Sequence, residues 1–496
     1  MTTKMNLNQC SKFVFLLTVF AAAVVLATCQ APPTGEQREI TVLYTNDEHG
    51  WMQGVQSGQG AAHLVGLLQE ENDYQVDQSV ILLSGGDNWT GPAISTWFEG
   101  QSMVEVMNQM GYSASVIGNH EFDFGLEVLK QRIAEANYPY LSANIRNKSD
   151  GEIPHDLGVE PFSIIEVSGI KVALLGLTTT LTPAVTNPAI VADYDFIEYE
   201  TALREFVPIV REQGAELILV PSHICTLELA ALAARVSDLG ITMLGGGHCN
   251  EFLAEQVAGT VIISGGYHYT GYAYATFSYD LNTQEIQVVD VGIRQNKSGA
   301  EDPLVTEIVQ KWQDKTDLEL NTSIGYLRSE IPRRSQTMQA LITESWLWGY
   351  PNADIALTNL GGIRDSLRAG DITLADVVSI LPFNNVLVDV ILTGDQLLQV
   401  LAVDPGGLAI GGMHQEGGTW LLDTTRAPLD GQQTYHVLVN DFMYAGGDDY
   451  TLLAQFDPDA YNTAIDWRQP VIDWIADQGS SEASPIDDTI ATLKDL

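Results

Sequence analysis

The sequence predicts a two-domain α/β protein. Its 496 residues exceed what one ordinary core holds. From Ile40 onward, short runs rich in Val, Ile and Leu alternate with stretches of helical spacing. Near Asn296 this alternation stops at a polar loop and then starts afresh.

The first segment reads as a targeting signal rather than as fold. Lys4 and Lys12 precede an uncharged apolar run, 13–27, that is short for a membrane span and has signal-peptide flanks. The run ends in Leu26-Ala27-Thr28-Cys29, which resembles a bacterial lipobox. Two outcomes are open: lipidation of Cys29, or ordinary cleavage nearby. Residues 1–28 are therefore expected to be a signal peptide and 29–38 a polar tether, with the chain exported to the periplasm or held at the outer membrane or cell surface. No later stretch is long and apolar enough to span a bilayer.

The runs Ile40–Tyr44, Val80–Leu83, Ala114–Ile117, Leu217–Val220 and Ile241–Leu244 are expected to be buried strands. Ala61–Glu70, Ser102–Met110, Leu126–Ala136 and Thr201–Gln213 have helical spacing. Such alternation implies a layered α/β domain with both sheet faces covered, here assigned to 39–297. A connecting helix from Pro303 to Leu318 lies in a linker, 298–325, where a hinge is expected. A second αβ domain follows over 326–496.

The formal charge of −41 disfavours nucleic-acid polymers and anionic membranes as partners. It leaves a small anionic substrate open, because bound metal and a few Arg can reverse the local field. Of four cysteines, Cys10 and Cys29 fall in the leader or anchor. Cys225 and Cys249 are expected to be free thiols, with a bridge between them as the alternative.

All five strands run into polar clusters: Asn46-Asp47-Glu48-His49, Gly86-Asp87-Asn88, Gly118-Asn119-His120-Glu121, Ser222-His223 and Gly247-His248-Cys249-Asn250. Ligands of open α/β sheets collect beyond the carboxyl ends of strands, so these clusters should converge on one crevice. Asp47 and His49, two apart in an extended stretch, should point the same way. The Asp87 carboxylate has two oxygens and can bridge two ions. His223 and His248 offer imidazole nitrogen, and Asn119 and Asn250 amide oxygen. Nitrogen and oxygen donors without thiolate favour Zn, Mn or a similar divalent ion in a reactive site.

These blocks resemble the calcineurin-like metallophosphoesterases, and their order and spacing resemble the 5′-nucleotidase branch. Asn359-x-Gly361-Gly362-Ile363-Arg364, Leu381-Pro382-Phe383 and Phe442-x-x-x-Gly446-Gly447-Asp448 resemble that family's C-terminal domain. The resemblance implies a four-layer αββα sandwich followed by a smaller αβ substrate-binding domain. It implies two divalent metal ions, one held by Asp47, His49, Asp87 and Asn250, the other by Asp87, Asn119, His223 and His248. Such a pair can acidify water at neutral pH and clamp phosphoryl oxygens for in-line attack. His120 and Asp123 match the catalytic dyad; Asp123 could instead simply start a helix. Phe383 and Phe442 match rings that sandwich the base, though both also suit core packing. Asp448 matches a ribose contact, and Asn359 and Arg364 contacts near base and phosphate.

The chain departs from the family in two places. Thr337-Met338-Gln339 follows Arg333-Arg334 where Asn and Gly are common, and Asp449 stands where Gly is usual. The expected activity is hydrolysis of nucleoside 5′-monophosphates, with nucleotide diphosphates and UDP-sugars as further substrates. Alternatives on the same scaffold are a 2′,3′-cyclic phosphodiesterase with 3′-nucleotidase action and a thiosulfohydrolase. A non-catalytic nucleotide- or metal-binding surface lipoprotein is the alternative of another class.

Overall fold

The computed structural model describes residues 36–75, 80–297, 299–403 and 407–493. The signal peptide and the Cys29 anchor lie outside the described residues. Among the described residues, no helix is long and apolar enough to cross a membrane.

Two six-stranded sheets build the first domain. One runs, in spatial order, Ile286–Gln295, Gly271–Asp280, Gln37–Thr45, Val80–Ser84, Ala114–Val116 and Tyr140–Leu141. Its last four strands are mutually parallel. The other runs Phe252–Val257, Thr260–Gly265, Met243–Gly245, Leu217–Pro221, Ile170–Leu175 and Phe162–Val167. Its middle four strands are parallel and its edge strands antiparallel. The first strand begins earlier than the apolar run suggests. Gln37 and Arg38, assigned above to the tether, pair with Asp280 and Tyr279.

Side chains alternate between the sheet faces and thereby define the layers. Val42, Tyr44, Ile81 and Leu83 meet Leu219, Met243 and Ile263 between the two sheets. Leu43 and Leu82 point the other way, into helices that contribute Leu64, Met103, Met107 and Trp312. On the outer face of the second sheet, Ala173, Ile218 and Leu244 pack on Leu203, Val207, Leu229 and Leu232. The result is a helix–sheet–sheet–helix sandwich. Gly245 lets the sheets close at their carboxyl ends, because a Cβ there would strike the Tyr44 ring.

Asp302 caps the helix Pro303–Leu320, accepting from the amides of Leu304 and Val305. This helix buries Val305 and Trp312 in the first domain's core. Its Trp312 indole and Lys311 both bond Glu105. The second domain is a five-stranded sheet in the order Leu408–Gly411, Ile355–Asn359, Thr434–Asn440, Val386–Thr393, Tyr461–Asp466. Helices Gln336–Gly349 and Gln469–Asp477 cover one face, and Gly394–Leu401 the other. The domains touch where Ala93 packs on Leu320 and Val378, and where the Ala93 amide donates to Ser379 Oγ at 3.0 Å.

Candidate active site

Every polar cluster singled out in the first domain sits at the carboxyl end of a strand, on one rim of the sandwich. The turns are tighter than the extended geometry anticipated for Asp47 and His49. Asp47, His49, Asp87, His248 and Asn250 all take left-handed backbone, with φ from 45° to 71°. Non-glycine residues hold that conformation only where their surroundings impose it. Here the Asp47 amide donates to the Gly86 carbonyl at 3.0 Å, and the His49 amide to the Asp87 carbonyl at 2.9 Å. The His248 amide donates to Asp47 Oδ1 at 3.1 Å, and the His120 amide to Asp87 Oδ1 at 2.8 Å.

Glu121, part of the Gly118-Asn119-His120-Glu121 motif, is central to this arrangement, a role the motif alone does not reveal. Fully buried, it accepts from the amides of Asp87, Asn88 and Gly118 at 2.7–2.9 Å. It thereby ties the second and third strand ends together. Gly118 is required beside it, since a Cβ would strike the Asp87 carboxylate.

Two imidazoles have their tautomers set by carbonyls. His49 Nδ1 donates to Thr90 O at 3.2 Å, and His223 Nδ1 to Gly85 O at 2.7 Å. Each Nε2 then faces carboxylate oxygen. His223 Nε2 lies 2.9 Å from Asp87 Oδ2. His49 Nε2 lies 4.0 Å from that same oxygen and 3.9 Å from Asp47 Oδ1. Burial pulls the His223 pKa down, but the Asp87 carboxylate outweighs it and carries the pKa up to about 9. Burial, reinforced by the Asp87 charge, pushes Asp47 up to about 7 despite His223 nearby. Burial and the His223 charge lower His248 to about 4. The cluster thus holds carboxylates and lone pairs that need a cation or protons between them.

Divalent metal fits this donor set. Ligand atoms of His49, Asp87 and His120 lie within 4.8 Å of one another, as do those of Asp87, His223 and His248. Asp87 is common to both groups. Asn119 Oδ1 is buried and has no hydrogen-bond partner among the described residues, as an oxygen awaiting a cation would be. Imidazoles held by a carbonyl through one ring nitrogen, with the other left free, are an arrangement that metal sites use.

His120 Nδ1 and Asp123 Oδ2 are 2.7 Å apart, and both side chains are largely buried. Burial lowers the His120 pKa, yet Asp123 and Asp87 raise it above its ordinary value. Asp123 closes the short 3-10 turn His120–Phe122 and does not start the helix that follows. The helix Leu126–Glu135 has Gly125 at its N-cap and no side-chain cap bond.

A cleft of about 310 Å³ opens over this cluster and is lined by both domains. The first domain supplies His49, Asp87, Asn119, His120, Asp123, His248 and Asn250, and the second Asn359, Arg364, Phe383, Phe442 and Asp448. Asp47 and His223 are buried behind it. Phe383 and Phe442 are half-buried at core margins with faces on the cleft. The Phe383 ring stacks 5.8 Å from the His120 ring at 24°. Asn359 Nδ2 donates to Asp448 Oδ2 at 2.7 Å, while Asn440 Nδ2 donates to Asn359 Oδ1. Arg364 Nη2 reaches within 3.5 Å of His49 Nε2.

Arg333 and Arg334 lie outside the main cleft. Their Nε atoms donate to the carbonyls of Ile363 and Leu360, gripping the turn that presents Asn359 and Arg364. Burial and the neighbouring Arg364 and Arg334 charges hold Arg333 down to about 9. Thr186, Asn187, Asn385, Asp441 and Trp467 also line the cleft. No motif marked these residues in the sequence.

The two cysteines are joined. Cys225 and Cys249 form a disulfide with Cα atoms 5.2 Å apart, which corrects the expectation of free thiols. The bond forms because two adjacent parallel strands end side by side, a proximity that separation along the chain does not reveal.

Residues 321–455 match the family model described as 5′-nucleotidase, C-terminal domain. A 5′-nucleotidase of Vibrio vulnificus is 29% identical over 88% of this chain and 91% of its own length. Among solved structures, a 5′-nucleotidase precursor from Thermus thermophilus superposes with a TM-score of 0.75 at 22% identity, covering 90% of this chain and 97% of that one. The sulfate thiohydrolase SoxB of Thermus thermophilus superposes with a TM-score of 0.69 at 16% identity, covering 91% and 95%. At such identities the two structures speak to fold alone. The domain model, the near full-length relative and the two-domain architecture agree: the chain is similar over most of its length to 5′-nucleotidases, and its residues 321–455 match their C-terminal domain.

Proposed function

We propose that this chain hydrolyses nucleoside 5′-monophosphates to nucleoside and phosphate at a centre of two divalent ions, with nucleotide diphosphates and UDP-sugars as further substrates. One observation carries the reading: a single cleft is lined both by the metal-binding cluster and by two aromatic rings beside the Asn359–Asp448 pair. A phosphate and a stacked base can occupy its two ends together.

Asp47, His49, Asp87 and Asn250 are assigned to one ion, and Asp87, Asn119, His223 and His248 to the other. When bound, these ions supply Lewis-acid polarisation of the phosphoryl group and acidify water. Arg364, beside His49, sets a fixed positive charge where phosphoryl oxygens gain negative charge. His120 has its Nδ1 tied to Asp123, so Nε2 is the nitrogen left to give a proton to the departing 5′ oxygen. Asp123 holds the ring's orientation and favours its charged form. Phe383 and Phe442 take the base between them, with stacking that tolerates any base. Asp448, oriented by Asn359, accepts from ribose hydroxyls.

Export belongs to the same proposal, supported by the charged and apolar pattern of residues 4–29. Intact-mass analysis of membrane and soluble fractions distinguishes a lipidated Cys29 from a plain cleaved terminus.

The function is tested by phosphate release from AMP, 3′-AMP, UDP-glucose and bis-p-nitrophenyl phosphate. Release should be fastest from AMP. A preference for 3′-AMP or the diester would replace this reading with the cyclic phosphodiesterase. No turnover of any of them, with metal bound, would favour a thiosulfohydrolase or a binding protein.

A further inference from the structure

The Cys225–Cys249 bridge lies among the candidate metal ligands. Cys225 follows His223 by two residues, and Cys249 stands between His248 and Asn250. The bond thus ties the loop after Leu217–Pro221 to the loop after Met243–Gly245. His248 and Asn250, on either side of Cys249, both take left-handed backbone, with φ of 71° and 55°. Such residues relax toward ordinary conformations unless something holds them. The other restraints on this loop are single hydrogen bonds: the His248 amide to Asp47 Oδ1 at 3.1 Å, the Cys249 amide to the Gly247 carbonyl at 2.8 Å, the Gly266 amide to the Glu251 carbonyl at 3.0 Å, and His248 Nδ1 beside His223 Nε2 at 3.3 Å. Gly247 N also donates to Ile224 O at 3.0 Å, and Glu251 Oε2 accepts from the Thr226 amide and hydroxyl. His223, by contrast, is fully buried and fixed by the Gly85 carbonyl.

We propose that the Cys225–Cys249 disulfide is a reducible brace of the metal centre. Intact, it holds His248 and Asn250, one ligand for each ion, in the positions from which they bind; its reduction weakens divalent-metal binding. The inference rests on the two-ion reading above.

Reduction needs an external dithiol, and the bridge is accessible to one because Cys249 is exposed and Cys225 partly so. A thiolate of the dithiol attacks Cys249 Sγ and breaks the S–S bond. Cys225 leaves as thiolate and takes up a proton. The second thiol of the reagent then closes the reagent's own disulfide and frees Cys249 as a thiol. Two electrons and two protons pass from the dithiol to the protein.

The test measures Mn²⁺ affinity of the chelator-stripped full chain by competition with a fluorescent chelator. Mn²⁺ is chosen because thiolates bind it poorly, so freed cysteines do not act as new ligands. Four samples are compared: oxidised, dithiothreitol-reduced, reoxidised, and the C225S/C249S variant, each checked for fold by circular dichroism. Dissociation constants should rise about 10-fold or more on reduction and in the variant, as loss of outer-shell support does elsewhere, and return on reoxidation. If the variant fails to fold, the reduction and reoxidation of the unaltered chain decide alone. Affinities equal within about twofold across the folded samples overturn the brace while leaving the metal centre standing. No Mn²⁺ binding even when oxidised overturns both.

Discussion

Replacing Asp123 by Asn removes the charge that faces His120 Nδ1 at 2.7 Å but keeps the side chain's shape. A charge-assisted hydrogen bond contributes about 1.5–3 kcal/mol, roughly 10- to 150-fold in rate if it acts only in the transition state. The sign of the pH effect follows from the surroundings. Burial lowers the His120 pKa, and Asp123 and Asp87 raise it above its ordinary value. The protonated form is therefore present below that raised pKa and lost as pH rises through it. Asp123→Asn should move the alkaline limb of kcat/KM for AMP to lower pH. The nucleoside 5′ oxygen is a poor leaving group that needs a proton, whereas p-nitrophenolate departs without one. The variant should consequently lose far more activity toward AMP than toward p-nitrophenyl phosphate, measured from pH 5 to 9. Equal losses on both substrates, or an unmoved alkaline limb, would refute proton donation by His120.

Phe442→Ala should raise KM for AMP roughly 5- to 150-fold, the range expected for one lost base stack, and leave p-nitrophenyl phosphate kinetics unchanged. Glu121→Ala strips the acceptor from three buried amides and should cost about 3 kcal/mol or more, read as a lower urea midpoint. Gly118→Ala drives a Cβ into the Asp87 carboxylate and should leave fewer metal ions per chain by elemental analysis. Saturating Mn²⁺ at about 100 times its dissociation constant should stabilise the stripped protein by about 2.7 kcal/mol. That gain should shrink in Asn119→Ala, whose lost oxygen has no hydrogen-bond partner among the described residues.

The first domain's strands were legible because both faces of each are buried, so they stand out as continuous apolar runs such as Val80–Leu83. Their polar ends were legible for the same reason, since Asp87 and His223 break the apolar pattern where a strand must stop. Features created by the meeting of distant segments were not legible. Glu121 sat in view within its motif, yet its three amide partners lie on two different loops. Asp47 and His49 take left-handed backbone though neither is a glycine, and the Gly50 beside them does not mark those two positions. The linker helix gave no sign that Val305 and Trp312 would bury against the first domain. Arg333 and Arg334 are visible in the sequence as a pair, but only the folded turn shows that they grip the Ile363 and Leu360 carbonyls. The disulfide depended on two strand ends meeting 24 residues apart in sequence.

Two ions held by the strand-end cluster are proposed to drive hydrolysis of a 5′-nucleotide. The most direct test titrates Mn²⁺ or Zn²⁺ into chelator-stripped protein while following phosphate release from AMP. The expected result is no release without metal and a rate that climbs to a plateau at two ions per chain. Release that is undiminished in the stripped protein, or two tightly bound ions with AMP left intact, would contradict it.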